Sequence, residues 1–302
     1  MAALRTASRE SLGTAAATVA VLSWSFGPIL IKVAELPGRP LALYRLWLGF
    51  GVMLAAQLVV DRRLSMRAFR RSAAGGLLFG ANMLLFFSAV KETSVADVSL
   101  ITALQPALVL VVAGRWFGER IGPREVVLTA VALGGVALVI LGSAGAPEWS
   151  VWGDVLAVGA LFTFTGYFLA SKSARGDLGA LEYMTAVMGW AAVVVTPFVV
   201  VSSDLPPVSG HDWLVLVGFV LVPGAGGHLL MNWAHRYVDV SVSSLMVVAA
   251  PVLSALLAAP LLGEAFGLFH VAGSLLVAGS VVALVRRTGG AVAADPEAVE
   301  VL

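Results

Sequence analysis

Ten nearly uncharged apolar runs constrain this chain most. A helix needs about 20 apolar residues to cross about 30 Å of hydrocarbon. Because lipid-exposed backbone must be hydrogen-bonded within its own segment, and the runs lack the alternation of membrane strands, they predict helices. The sequence therefore predicts an all-α integral membrane protein with ten transmembrane helices, at Thr14–Ala34, Leu41–Val60, Ala73–Val90, Val95–Phe117, Val126–Leu141, Val155–Ser171, Tyr183–Val201, Trp213–Trp233, Val240–Leu262 and Phe266–Val285.

The composition excludes several classes of protein. Apolar residues make up 59% and charged residues 12%, against about 45–50% and about 25% in soluble domains. A net charge of +1 gives no electrostatic basis for nucleic-acid binding. The chain has no cysteine, which excludes disulfides and thiolate catalysis. No carboxylate or third histidine is placed to complete a metal site with His228 and His235, so we expect no bound metal there. We also expect no cofactor.

The basic residues indicate the orientation in the membrane. With the N-terminus inside, 15 of the 19 Lys and Arg residues fall in cytoplasmic segments or at cytoplasmic span ends. Cytoplasmic loops carry an excess of Lys and Arg. The distribution therefore predicts a multi-pass protein with both termini in the cytoplasm.

An internal repeat divides the chain into two halves. At an offset of 140 residues Lys32 meets Lys172, and at an offset of 145 Pro106 meets Pro251 and Gly118–Glu119 meets Gly263–Glu264. We predict a cytoplasmic N-terminal segment (1–12), two five-helix repeats (13–142 and 153–287) and a cytoplasmic tail (288–302). Five is an odd number, so the halves run in opposite directions, as the repeats of many transporters do.

Three motifs carry a resemblance to a known family. They are Ser23-Trp24-Ser25-Phe26-Gly27-Pro28 ending at Lys32, Pro40 with Tyr44-Arg45, and the paired stretches Pro106–Glu119 and Pro251–Glu264. Over residues 12–287 the chain resembles the ten-helix EamA branch of the drug/metabolite transporter superfamily. The resemblance implies a carrier of the bacterial inner membrane, commonly an exporter of amino acids, other metabolites or drugs. It also implies a central cavity within eight helices, with the fifth and tenth helices peripheral.

Polar residues in the eighth span recur on one helical face, at Gly224, His228, Asn232 and His235. Polar groups at membrane depth face a cavity or a neighbouring helix. Two interpretations stay open for His228 and Asn232, namely contact with a transported solute or hydrogen bonding between helices. In the first interpretation His228 is also a candidate proton acceptor.

The fourth and ninth spans repeat one arrangement. Gln105 and Pro106 lie on the fourth, and Ser244 and Pro251 lie on the ninth, where Ser244 is the repeat partner of Ser99. A proline inside a membrane helix removes one hydrogen bond and frees a carbonyl group. Because the prolines recur in both halves, we favour gating by Pro106 and Pro251 over static kinks.

Aromatic residues mark the first and sixth spans. Trp24 is the repeat partner of Phe164, and Tyr167 follows Phe164 by one helical turn. Aromatic and hydroxyl groups together suit a small amphipathic solute, although they also suit plain helix packing. We add Asn82 of the third span to the candidates as a polar group at membrane depth.

Arg45 is the permanently charged side chain that falls well inside a predicted span, about one turn from Leu41. Its repeat partner is Thr185, so the charge is not a symmetric element of the fold. A guanidinium facing a cavity can bind a carboxylate with two parallel hydrogen bonds. The alternative is an interfacial side chain that snorkels to the headgroups.

These observations favour a secondary transporter, and an exporter in particular, that moves a small polar or amphipathic metabolite such as an amino acid or drug-like compound by alternating access. The alternatives are an integral-membrane lipid-modifying enzyme and a non-transporting lipid-carrier or accessory protein. A small-molecule substrate and the lipid bilayer are the expected partners, with a homodimer as an open alternative. We predict no catalytic residues, gating by Pro106 and Pro251, and substrate contacts from Trp24, Arg45, Asn82, Gln105, Phe164, Tyr167, His228, Asn232 and Ser244.

Overall fold

Helices are the regular secondary structure throughout the residues that the computed structural model describes, which are 2–60, 64–92, 98, 101–118, 122–143, 150–202, 205–262 and 267–294. A π-helix, Val220–Leu229, joins α10 to α11. The α-helices in chain order are α1 (Ala2–Trp24), α2 (Gly27–Val33), α3 (Gly38–Val60), α4 (Met66–Arg71), α5 (Ala73–Glu92), α6 (Gln105–Trp116), α7 (Pro123–Ser143), α8 (Val151–Ala174), α9 (Ala180–Ser202), α10 (Gly210–Phe219), α11 (Leu230–Ala234), α12 (Val240–Val247), α13 (Ala249–Leu262) and α14 (Leu268–Ala294).

Within these described residues, six helices are long and apolar enough to cross a membrane, and shorter apolar helices cover Val240–Ser254 and Val271–Ser280. Large apolar side chains point outward from them, with Phe162 60% and Leu214 75% exposed. Such side chains are suited to contact with lipid tails. The six spans are Glu10–Val33, Gly38–Val60, Ala73–Glu92, Val151–Ala174, Ala180–Val201 and Gly210–Ala234.

Several predicted spans are interrupted. The first ends at Trp24 and resumes at Gly27, the fourth has a turn at Ala103 and Leu104, and the ninth has a turn at Val248. Pro28 and Pro106 each lie in the first two positions of the helix that follows a break. A proline there loses little, because the first amides of a helix have no intrahelical partner. The prolines therefore begin new helices and do not kink continuous ones.

The helices at both ends of the chain continue into the segments predicted as cytoplasmic. Helix α1 begins at Ala2, inside the N-terminal segment predicted as 1–12, and α14 continues to Ala294, beyond the predicted end of the second repeat at residue 287. The extension of α1 includes charged residues, whereas residues 288–294 at the end of α14 are small or apolar apart from Thr288. They extend existing helices, and an established helix adds residues at little cost.

Helix packing pairs the two halves of the chain. Helix α7 packs against α14, α3 against α9, α5 against α8 and α9, and α1 against the π-helix and α11. Contact between α5 and α9 is close because Gly76 lies against Trp190, and an added Cβ atom would come 3.0 Å from the Val187 carbonyl oxygen. Glycine at a helix interface allows backbones to approach in this way.

Helix α2 is fixed to the start of α10 by Asp212. One carboxylate oxygen of Asp212 accepts hydrogen bonds from the backbone amides of Glu35 (2.9 Å) and Leu36 (3.4 Å), just after α2. The side chain of Asp212 is 2% exposed. Charge-assisted bonds are stronger than neutral ones, so Asp212 holds the short helix in place.

Candidate functional site

A cavity of about 180 Å³ lies among helices from both halves of the chain. An apolar cavity of about 150 Å³ in another protein accommodates benzene, so this one can hold a small aromatic solute. Its wall is mainly apolar and aromatic. The lining residues are Trp24, Gly27, Pro28, Ile31, Arg45, Asn82, Met83, Phe86, Phe87, Thr102, Ala103, Gln105, Pro106, Phe164, Phe219, Pro223, His228, Val247, Val248, Ala250 and Pro251.

The structure brings together most of the residues singled out in the sequence. Tyr167, Asn232 and Ser244 do not line the cavity and form buried contacts elsewhere. Substrate contact by any of these residues remains a prediction. The predicted site residues that line the cavity are Trp24, Arg45, Asn82, Gln105, Pro106, Phe164, His228 and Pro251.

The repeat partners Trp24 and Phe164 meet edge to face, with ring centroids 6.0 Å apart. The indole edge of Trp24 rests on Gly227 of the π-helix, where a Cβ atom would overlap the ring. Offset and edge-to-face contacts are the favoured geometries of aromatic pairs. The glycine therefore lets the first span approach the eighth closely beside the cavity.

His228 is surrounded by aromatic rings. Its imidazole lies 5.0 Å from Trp24, 4.8 Å from Phe79 and 6.0 Å from Tyr167, measured between ring centroids. The side chain is buried, and Nδ1 has no hydrogen-bond partner in the described part of the chain. A π-helical turn is often found at functional sites, and His228 lies in one.

Arg45 enters the cavity wall from α3. The helix begins at Gly38, so Arg45 is two turns from its start and not one, and its side chain is 4% exposed. The guanidinium carbon lies 5.6 Å from the Phe87 ring centroid and 5.1 Å from that of Phe219. Nη1 points at the thioether sulfur of Met83. Arg45 is therefore packed inside the protein.

Asn232 is the centre of a hydrogen-bond network beside the cavity. Its amide nitrogen donates to the Tyr167 hydroxyl (2.9 Å) and to the His228 carbonyl oxygen (2.6 Å). Its amide oxygen contacts the Ser171 hydroxyl, which is 2.9 Å from Nδ1 of His235. These contacts join α11 to α8. They account for the placement of Asn232 and Tyr167 outside the cavity wall, although Asn232 shares a predicted face with His228.

The remaining candidates differ in how their polar atoms are satisfied. The Asn82 amide donates to the carbonyl oxygen of Ala160 (2.9 Å), while both amide atoms of Gln105 are buried with no partner in the described residues. The Ser244 hydroxyl donates to the carbonyl oxygen of Ser241 (2.9 Å) on its own helix. Its repeat partner Ser99 lies outside the described residues.

His235 follows the eighth span directly. Burial, and then the positive charges of Lys172 and Arg175, lower the pKa of His235 to about 3. Burial also lowers the pKa of Arg175, whose Nε donates to the backbone carbonyl oxygen of Asn232 (2.8 Å). His235 is therefore neutral at physiological pH and acts as a hydrogen-bonding group in this network.

Sequence reasoning missed the aromatic surroundings of Arg45. Phe87 and Phe219 touch the guanidinium, and Met83 lies one turn before Phe87 on α5. The spacing of Met83 and Phe87 places them on one helix face, but in an apolar chain this signal does not distinguish a cavity wall from ordinary packing. No group of three His, Asp or Glu residues in the described segments could hold a metal ion.

The model of the EamA-like transporter family matches residues 11–141 and 151–286. The aromatic amino acid exporter YddG of Ancylobacter novellus is 29% identical over 225 residues, which is 70% of this chain and 75% of that protein. The uncharacterized transporter YxxF of Bacillus subtilis is 25% identical over 252 residues, covering 82% of this chain and 79% of the relative. A crystal structure with 21% sequence identity shares the fold, with a TM-score of 0.78 over 91% of this chain and 97% of that one.

The relatives are named as transporters and not as enzymes, which favours the transporter prediction over a lipid-modifying enzyme. Two family matches together span most of the chain. This protein is therefore a multi-pass membrane transporter with a small-molecule substrate, and it belongs to the EamA-like transporter family.

Proposed function

We propose that the protein is a secondary exporter of small amphipathic metabolites that works by alternating access. The observation that carries the proposal is the cavity, which helices of both halves enclose. Aromatic rings, a buried guanidinium, an imidazole and an amide share its wall. Cavities with an apolar wall and a few placed polar groups are typical binding sites for small molecules.

The helix contacts support two inverted five-helix repeats with ten spans. In a symmetric repeat, replacing each helix by its partner in the other half should turn one helix contact into another that also exists. The contact of α1 with the π-helix and α11 becomes the contact of α8 with α5, and the contact of α6 with α8 becomes that of α12 with α1; the structure has all of these contacts. The contacts of α3 with α9 and of α7 with α14 are unchanged by the replacement. Pairing of this kind is expected from a pseudo-two-fold axis in the membrane plane.

The helix breaks support a moving element at the cavity. The turns at Ala103 and Val248 differ by the repeat offset of 145 residues, as do Pro106 and Pro251 behind them. Transporters commonly build the substrate site from such discontinuous helices. We propose that Pro106 and Pro251 permit the bending that opens the cavity to either side.

The proposed location is the bacterial inner membrane with both termini in the cytoplasm. The excess of Lys and Arg in the predicted cytoplasmic segments supports this orientation. Two exposed residues at opposite ends of the spans test it, Met66 before α5 and Gly210 at the start of α10. A membrane-impermeant thiol reagent applied to intact cells should label Gly210→Cys and leave Met66→Cys unlabelled. The reverse result would contradict the orientation.

A relative named as an aromatic amino acid exporter supports export of amphipathic solutes, as do the aromatic rings of Trp24 and Phe164 in the wall. The proposed substrate contacts are the lining members of the predicted set. For Tyr167, Asn232 and Ser244, whose polar groups are engaged outside the cavity, we propose a supporting role.

Transport by purified protein in proteoliposomes tests the function. Gly27 lines the cavity, and a Cβ atom there meets nothing within 4 Å. Gly27→Leu should therefore fill the cavity without disturbing the fold and abolish saturable efflux of labelled phenylalanine. Gly51, on the exposed face of α3, has the same open surroundings, so Gly51→Leu is the matched control. Equal efflux by both variants would contradict transport through this cavity.

A further inference from the structure

Resting on the proposed transport function, we propose that Arg45 is the carboxylate-binding group of the cavity, so that the substrates are carboxylates with an aromatic or apolar body. This assigns a chemical class to the substrate and an atomic partner to its charge. The opposite class, organic cations, should be excluded by the same site.

The surroundings of Arg45 satisfy its charge only weakly. Its contacts are two aromatic faces and the thioether of Met83. A guanidinium carries five N–H donors, and a thioether is a weak acceptor. The structure gives Arg45 no oxygen acceptor among the described residues. Lys172, a cation with a structural contact, shows the contrast, because its ammonium donates to the carbonyl oxygen of Val238 (2.6 Å).

Among the described residues that line the cavity there is no aspartate or glutamate. The ionisable side chains of this described wall are Arg45 and His228, and both gain positive charge when they bind a proton. A buried charge without a partner is costly, and an opposite charge in good geometry offsets that cost. A substrate carboxylate supplies the opposite charge, and two parallel N–H···O bonds fit the guanidinium fork.

The rings that hold the guanidinium also shape the rest of the site. Phe87 and Phe219 pack on Arg45, and Phe86 and Phe164 extend the apolar wall of the same cavity. A carboxylate at Arg45 therefore leaves the body of the solute against aromatic side chains. The cavity of about 180 Å³ limits that body to roughly the size of a single aromatic ring with a short side chain.

The competing explanation is that Arg45 only supports the fold by stacking between rings. Lysine keeps the charge and the cation–π attraction but cannot form the bidentate contact. Arg45→Lys therefore separates the two roles. Arg39 is an exposed arginine at the start of the same helix, so Arg39→Lys is the matched control.

Four probes with the same ring test the proposal in proteoliposomes. Phenylalanine and 3-phenylpropanoate carry a carboxylate, whereas phenylalaninamide and 2-phenylethylamine do not. Wild-type protein and Arg39→Lys should move the two carboxylates at least about tenfold faster than the others, because only a carboxylate completes the pair with Arg45. Arg45→Lys should slow the carboxylates by about tenfold or more and leave the other two unchanged.

The test does not depend on the variant being folded, because wild-type protein alone gives the ratio of the transport rates of probes with and without a carboxylate. Equal movement of the amide and the amino acid by wild-type protein would overturn the carboxylate site and leave the transport function standing. An unchanged ratio in folded Arg45→Lys would do the same. Failure of wild-type protein to move any of the four probes in a saturable manner would overturn the proposed function and the carboxylate site with it.

Discussion

The hydrogen-bond network around Asn232 should stabilise the fold without contacting the substrate. Asn232 is 1% exposed, and its side chain links α11 to Tyr167 and Ser171 on α8. Hydrogen bonds between membrane helices contribute about 0.6 kcal/mol on average and about 1.7 kcal/mol at most. Two such bonds give a loss of about 1–3 kcal/mol for Asn232→Ala.

Equilibrium unfolding in mixed micelles containing a denaturing detergent measures this loss. Ser171→Ala should also destabilise the protein, and the double variant should lose less than the sum, because the two side chains share one contact. The control is Ser244→Ala, whose hydroxyl bonds within its own helix among the described residues. Because that bond joins no second helix, Ser244→Ala should lower the free energy of unfolding by less than Asn232→Ala does.

Transport by the folded fraction completes the test. The reasoning requires an unchanged KM in Asn232→Ala, because the side chain lies outside the cavity wall. Wild-type stability together with a raised KM would refute it and place Asn232 in contact with the substrate.

Three further predictions concern packing, gating and pH. Gly76→Leu should destabilise the protein by about 1–3 kcal/mol or more, measured by detergent unfolding, whereas Gly279→Leu, at an open position, should not. Pro106→Ala and Pro251→Ala should each lower the transport rate more than the amount of folded protein, and wild-type turnover in both would leave only a static role. The pKa of His235, about 3 in the fold and about 6.5 when unfolded, means that the unfolded chain binds more protons between these values. Stability should therefore be full above pH 6.5 and fall by about 2 kcal/mol on reaching pH 5, and an unchanged slope in His235→Gln would contradict this.

The internal repeat was informative where both residues of a matched pair are aromatic or both are proline. Trp24 and Phe164, matched by an offset of 140, meet at the cavity. Pro106 and Pro251, matched by an offset of 145, both line it. The two matches of one family model, at residues 11–141 and 151–286, agree with an internal repeat of this kind.

Helical periodicity was less reliable in the eighth span. It places His228 and Asn232 on one face, yet the first lines the cavity and the second bonds to α8. The π-helix at Val220–Leu229 changes the residue spacing in this region, and its longer i to i+5 turn is not part of a 3.6-residue pattern. Which polar side chain faces a neighbour was therefore beyond prediction, because it depends on tertiary partners such as Ser171.

Arg45 shows the same division between local and tertiary information. The sequence predicted that a charged residue lies about one turn inside a span. It could not predict that Arg45 is buried between Phe87 and Phe219, because those residues are distant in sequence and resemble the many other apolar residues of the spans. A snorkelling side chain and a cavity-facing one have the same local sequence.

Access to the cavity from both sides of the membrane is the most direct measure of alternating access. The chain has no cysteine, so Gly27→Cys places a single thiol in the cavity where an added side chain has room. Its rate of reaction with a membrane-impermeant reagent should be measurable in both right-side-out and inside-out vesicles, with Gly51→Cys as the unreactive lipid-facing control. We predict reaction from both sides, slowed in each case by substrate. Reaction from one side only, under every substrate condition, would contradict the mechanism.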